Sequence, residues 1–185
     1  MVNLIQMSLR KYKTGVLLLL TTLLVCSCQR SSLIEEKSVN CYFQYEYINH
    51  AWGFNHSGFI ITPAGEMYTF DKTTPWSFSE NGVLSSDSLQ NNLKASVKRD
   101  TLISSTDIIY YQHLASYAMD GKISEMVMHG ADMGANICKI IVPDSSNPLK
   151  SYREIILTHI GDTEFHNLAP EAGVIAAWLK KITIK

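Results

Sequence analysis

An apolar run near the start of the chain decides which residues are left to build a folded domain. The run extends over residues 15–25 and follows a basic patch at residues 10–13. It covers about 11 residues, whereas a helix that spans a bilayer needs roughly 20. A basic start, a short apolar core and small residues at the end are typical of a secretory leader that is removed. The sequence therefore predicts a leader over residues 1–27.

The leader ends in Val25-Cys26-Ser27-Cys28, with a small residue directly before a cysteine. This pattern resembles a bacterial lipoprotein signal peptide. The resemblance implies that Cys28 becomes the N-terminus and carries lipid, palmitate included, which anchors the protein to a membrane of the bacterial cell envelope. The expected location is the outer membrane, on its periplasmic or surface face. The alternative is an ordinary secretory leader, cleaved near Ser27, that leaves Cys28 as a plain thiol.

The rest of the chain divides into a polar tether, residues 28–39, and one globular domain, residues 40–185. The leader holds three of the 16 Lys and Arg and none of the 17 Asp and Glu, so the remainder has a formal charge of 13 minus 17, or −4. A nucleic-acid groove needs a basic stripe. The charge therefore argues against nucleic acid as a partner and leaves the membrane, through the lipid, and an unknown protein or small molecule.

Alternating apolar residues and turn residues predict an α+β domain. Residues 63–66, Pro-Ala-Gly-Glu, separate two apolar runs and indicate a hairpin. The pattern predicts about five strands in a mainly antiparallel sheet, with two or three helices packed on one face. The predicted strands are 41–48, 58–62, 67–70, 135–142 and 152–159; the predicted helices are 86–98, 106–119 and one that begins at Pro170. Residues 71–85 are predicted to be a loop.

Two cysteines, Cys41 and Cys138, remain in the predicted domain. In an oxidising compartment a disulfide between them would close a loop of about 100 residues and add roughly 4–5 kcal/mol of stability. Two buried free thiols fit the same pattern. Neither cysteine has a second ligand at metal-binding spacing, so no metal site is predicted, and no cofactor is expected.

The segment 49–58, Asn-His-Ala-Trp-Gly-Phe-Asn-His-Ser-Gly, is the densest unusual cluster. Loops carried by a rigid sheet are where sites tend to lie. His50 and His56 are therefore candidate catalytic residues, and Trp52, Asn55 and His56 are candidate binding residues. The alternative is a bend whose glycines allow close packing and whose tryptophan fills the edge of the core.

The second cluster, residues 159–167, joins the last predicted strand to the last helix. Asp162 and His166 are candidate acid, base or ligand groups there, with Glu164 beside them. The alternative is a Gly-Asp turn that leads into the helix. His129 with Asp132 forms a third, weaker candidate in a glycine-bounded loop.

Short motifs elsewhere resemble those of uncharacterised bacterial lipoproteins: Trp52-Gly53, Gly58-Phe59-Ile60-Ile61, Gly65-Glu66-Met67-Tyr68, Ile156-Leu157, Gly161-Asp162 and Trp178-Leu179. This resemblance implies no activity. The chain has no G-x-S-x-G turn, glycine-rich phosphate loop or H-E-x-x-H motif.

We therefore expect a membrane-anchored, non-enzymatic binding or interaction module of the envelope. The alternative is a small hydrolase with a His/Asp site formed by the 49–58 and 159–167 loops, and it requires these loops to meet in space. An inhibitor or immunity-type protein is a third hypothesis, and it requires a large exposed apolar patch.

Overall fold

The described part of the chain has an α+β fold, as predicted: a large antiparallel sheet with helices packed on it. The computed structural model describes residues 37–51, 53–71 and 75–182. The strands within these ranges are β1 (Tyr42–Asn49), β2 (Asn55–Ile61), β3 (Glu66–Asp71), β4 (Val83–Ser85), β5 (Val97–Leu102), β6 (Val127–Met128), β7 (Ala135–Pro143), β8 (Ser151–Gly161) and β9 (Thr163–His166). The helices are α1 (Ser86–Ala95), α2 (Ser105–Ala118) and α3 (Pro170–Lys181).

The strands form one antiparallel sheet in the order β5-β3-β2-β1-β7-β8-β9-β6, and β4 pairs with β8. The predicted hairpin is confirmed as β2 and β3. The prediction of about five strands is too low, because it does not include β4, β5, β6 and β9. The two residues of β6 are exposed, and only one of the six residues of β5 is partly buried. Such strands lack the apolar alternation by which strands are predicted.

The main core lies between one face of the sheet and helices α2 and α3. Strand side chains and helix side chains are buried together there: Phe43, Phe59, Ile140, Leu157, Ile108, Ile175 and Leu179. The Tyr111 ring of α2 stacks on the Trp178 ring of α3, with 3.8 Å between the centroids. Each large side chain buried in this way contributes about 1.5–3 kcal/mol.

Helix α1 packs on the opposite face of the sheet. Ile141 lies between two residues of the main core, so strand alternation turns its side chain to the other side. Leu84 and Leu89 bury it there. The expectation that all helices share one face is therefore wrong for α1, because a central strand that is apolar on both sides needs cover on both sides.

Serine side chains cap the N-termini of α1 and α2. Ser104 Oγ accepts a hydrogen bond from the Asp107 N–H at 3.1 Å and starts α2, as predicted. The helix predicted over 86–98 ends earlier, at Ala95. Ser96 is extended, and the β-branched Val97 then opens β5.

Both domain cysteines are free thiols in this structure. Cys41 and Cys138 are fully buried, and Cys138 Sγ lies 3.9 Å from the Ala176 carbonyl. Burial raises the pKa of both thiols. The structure therefore contains two free thiols that are buried in the core, where thiols are unreactive.

The predicted leader and Cys28 lie outside the described residues. At the end of the predicted tether, the Lys37 carbonyl accepts a hydrogen bond from Ser116 Oγ of α2 at 2.8 Å. Within the described ranges, no helix has the length and apolar character needed to cross a membrane.

Candidate functional site

The two histidine-bearing segments meet at one end of the sheet, as the hydrolase hypothesis requires. β1 and β8 end there and β7 begins there, since Ile48 pairs with Ala135 and Ala135 with Gly161. The residues that follow or precede these pairs line a cleft of about 490 Å³, which we call the end cleft. Its lining includes Asn49, His50, Ala51, Asp132, Gly134, His159, Asp162 and Thr163.

Two glycines allow the backbones to approach closely enough to form the end cleft. A Cβ atom at Gly161 would lie 1.8 Å from the Gly134 carbonyl oxygen, and one at Gly134 would lie 2.8 Å from the Ile48 oxygen. Gly134 also has a φ of +71°, in the left-handed region that favours glycine. A side chain at Gly134 or Gly161 would push apart the adjoining ends of β1, β7 and β8.

Asp162 holds the loop that carries Asp132. Its Oδ1 accepts a hydrogen bond from the Met133 N–H at 2.6 Å, and its carbonyl accepts one from the His129 N–H at 2.9 Å. Asp132 itself is exposed, with a φ of +69°, and no described residue forms an ion pair with it. The predicted candidate Asp162 therefore positions a second carboxylate, on Asp132, at the cleft.

Of the two histidines that line the end cleft, His159 is the one whose imidazole orientation is fixed by a hydrogen bond and by ring stacking. Its Nδ1 lies 3.0 Å from the Thr163 carbonyl oxygen, and its ring stacks on Phe165 with 4.7 Å between centroids. A carbonyl only accepts, so Nδ1 carries a proton, and in the neutral ring Nε2 then has the lone pair; Thr163 Oγ1 lies 3.4 Å from the same Nδ1. No described residue bonds to that Nε2. His159 belongs to the second predicted cluster but not to the predicted catalytic candidates, because its hydrogen bond to Thr163 depends on the turn between β8 and β9.

His50 and Asp162 are the two predicted catalytic candidates that the structure brings together. His50 is exposed beside Phe54, with 5.2 Å between ring centroids. His56 and His166 do not line the end cleft. Of the predicted binding residues, Asn55 pairs with Asn49 at the end of the β1–β2 ladder, and Trp52 lies outside the described residues.

His56 is fully buried in a network of charged side chains on the α1 side of the sheet. Its Nε2 lies 2.8 Å from Glu46 Oε2, and Lys139 Nζ lies 2.9 Å from Glu46 Oε1 and 3.0 Å from Glu154 Oε1. Gln44 donates to Glu46 Oε2 at 2.7 Å. The rings of Phe54, Phe70, Trp76 and Phe78 surround the imidazole. We call Gln44, Glu46, His56, Lys139 and Glu154 the buried network.

The charges of the buried network stabilise one another. Burial alone would raise the pKa of Glu46, but the Lys139 charge and hydrogen bonds from His56 and Lys139 outweigh it and lower that pKa to about 2. Burial would lower the pKa of Lys139, and the Glu46 and Glu154 carboxylates raise it instead. The ionised forms of Glu46 and Lys139 are therefore stabilised inside the domain.

His166 belongs to a separate surface cluster. Its Nε2 lies 2.8 Å from Glu164 Oε1, and His129 Nε2 lies 2.7 Å from Glu164 Oε2. These hydrogen bonds lower the pKa of Glu164. Among the described residues, no three His, Cys, Asp or Glu side chains are placed to hold a metal ion.

A scan against protein-family models finds none that matches the chain, and a comparison with curated proteins finds no similar sequence.

Proposed function

We propose that the chain is a lipid-anchored protein of the bacterial cell envelope whose domain binds a small polar ligand in the end cleft without catalysing a reaction. The observation that carries the binding proposal is the convergence of the two loop clusters on one cleft. Its volume of about 490 Å³ is within the range of roughly 300–1,000 Å³ that small-molecule sites occupy.

The lining of the end cleft selects the chemistry of its ligand. The carboxylates of Asp132 and Asp162 and the Nε2 lone pair of His159 all accept hydrogen bonds. A ligand with several donors, such as an amine that also carries hydroxyl groups, matches this set. Glucosamine has both kinds of donor and is a suitable probe.

Thermal unfolding with glucosamine tests the binding proposal. Glucosamine is expected to raise the melting temperature of the wild type and to leave Asp132→Asn unchanged, since ligand binding to the folded state alone stabilises it. Asparagine tolerates the left-handed backbone of residue 132, so the variant removes charge with little strain. Asp87→Asn, at an exposed position of α1, is the matched control and is expected to keep the response. No shift in the wild type, or equal shifts in the wild type and Asp132→Asn, would contradict the proposal.

The anchor proposal rests on the leader and Cys28. Cells fed an alkyne-tagged palmitate are expected to label the wild type and Cys26→Ser, and not Cys28→Ser. Cys26→Ser is the matched control because it changes a neighbouring thiol inside the leader. Equal labelling of both variants, or an unmodified amino end in the wild-type protein, would contradict it.

The orientation of His159 favours one second candidate, a small hydrolase. An imidazole that carries its proton on Nδ1 presents an Nε2 lone pair in its neutral form, which is able to activate a water molecule, and Asp162 lies in the same cleft. With p-nitrophenyl acetate as substrate, this candidate predicts that His159→Gln lowers the hydrolysis rate by about 100-fold or more. His129→Gln is the control outside the cleft. Equal rates for the wild type and both variants would exclude this activity.

A further inference from the structure

A second cleft, of about 640 Å³, lies at the β5 edge of the sheet. Two rows of side chains cross the strands there. Tyr47 pairs with Ser57 and Ser57 with Asp71, and Thr69 pairs with Val97. Arg99 is two residues beyond Val97 on the same strand, so its side chain is on the same face of the sheet. Tyr45, Tyr47, Ser57, Thr69, Asp71 and Arg99 are among the lining residues of this edge cleft.

Arg99 brings a positive charge to the edge cleft. Its Nε atom is buried without a hydrogen bond, and no described residue forms an ion pair with its guanidinium. The Arg99 side chain lines the edge cleft, so an acceptor that enters the cleft is able to bond to its guanidinium. The planar guanidinium fits a carboxylate, which accepts two parallel N–H bonds. The side chain is thus suited to bind an oxyanion that enters the edge cleft.

The other lining residues define the remainder of the ligand. The rings of Tyr45 and Tyr47 supply apolar surface, and their hydroxyls are already hydrogen-bonded, to Asn136 and Asn49 respectively. The volume of the cleft is of the size that small organic ligands fill. Asp71 is an exposed carboxylate with which no described residue forms an ion pair, and it would repel a dianion such as phosphate.

We propose that the edge cleft binds a singly charged organic carboxylate with an apolar body, its carboxylate on Arg99 and its apolar part against Tyr45 and Tyr47. This site is separate from the end cleft and adds a second ligand of different charge. The ligand proposed for the end cleft has many hydrogen-bond donors, whereas the ligand proposed for the edge cleft accepts hydrogen bonds through its carboxylate.

Calorimetric titration of the full chain with 3-phenylpropanoate tests the proposal. The wild type is expected to bind it saturably, and Arg99→Gln to weaken binding about tenfold or more, as expected for the loss of charge-assisted hydrogen bonds. Arg153→Gln is the matched control, because Arg153 also has a buried Nε without a partner and does not line the edge cleft. The Arg153→Gln variant is expected to keep wild-type affinity.

Four further titrations test which charges the edge cleft recognises and whether it binds independently of the end cleft. Asp71→Asn is expected to bind 3-phenylpropanoate more tightly, because a repelling charge is removed. Inorganic phosphate and 2-phenylethylamine are expected to bind more weakly than 3-phenylpropanoate. Asp132→Asn, in the end cleft, is expected to leave the titration unchanged. No saturable binding by the wild type, equal binding by Arg99→Gln, or tighter binding of phosphate would overturn the proposal.

Discussion

The buried network and the end cleft contain the same kinds of side chain, histidines and carboxylates, and differ in what surrounds them. Glu46, His56 and Lys139 are enclosed between the sheet and the α1 layer, and each is hydrogen-bonded within the network. His50 and Asp132 of the end cleft are exposed. Residue type alone therefore does not identify a site. We expect enclosed groups that are paired with one another to act as scaffold, and exposed groups to which no described residue forms a hydrogen bond to be available to a ligand.

The largest effect is expected where the buried network loses a charge. Lys139→Met leaves the buried Glu46 carboxylate without its cation, which costs about 3–5 kcal/mol of unfolding free energy. Urea denaturation measures this loss of unfolding free energy. Lys98→Met, which breaks an exposed pair with Glu66, is the control and should change stability far less. Similar losses for the two variants would contradict the distinction between enclosed and open groups.

Acid should destabilise the domain through Glu46. Because the pKa of Glu46 is lowered from 4.5 to about 2, its contribution is complete above pH 5 and is lost as the pH falls towards 2. The contribution is about 3 kcal/mol by linkage. Unfolding free energy measured against pH should fall less steeply over this window in Glu46→Gln than in the wild type. Parallel curves would show that Glu46 is not held ionised in the fold.

Replacement by alanine should lower the unfolding free energy at Gly161 of the end cleft and raise it at Gly173 of α3. Gly161→Ala places a Cβ against the Gly134 carbonyl and is expected to cost about 1–3 kcal/mol. Gly173→Ala, in α3, meets nothing within 4 Å and is expected to stabilise by about 0.5–1 kcal/mol. Thermal melts of the two variants compare them directly. A neutral Gly161→Ala would mean that the strands are further apart than the structure shows.

The α+β class, the β2–β3 hairpin and the start of α2 could be predicted from the sequence, because each depends on local patterns. The edge strand β5 could not be predicted, since its side chains are largely exposed and only pairing with β3 defines it. For the sites, the sequence predicts that the 49–58 and 159–167 segments are candidate site loops. Whether a histidine in them is open, like His50, or enclosed, like His56, depends on long-range packing that the sequence does not display.

The tautomers of His159 and His56 test the central distinction in one experiment. In a long-range ¹H–¹⁵N spectrum of the labelled protein at neutral pH, His159 should carry its proton on Nδ1, because that atom donates to the Thr163 carbonyl. His56 should carry its proton on Nε2, because that atom donates to the Glu46 carboxylate. A His159 protonated on Nε2 would contradict the assignment of an Nε2 lone pair to the end cleft, and a His56 protonated on Nδ1 alone would contradict the assignment of an enclosed donor to the buried network.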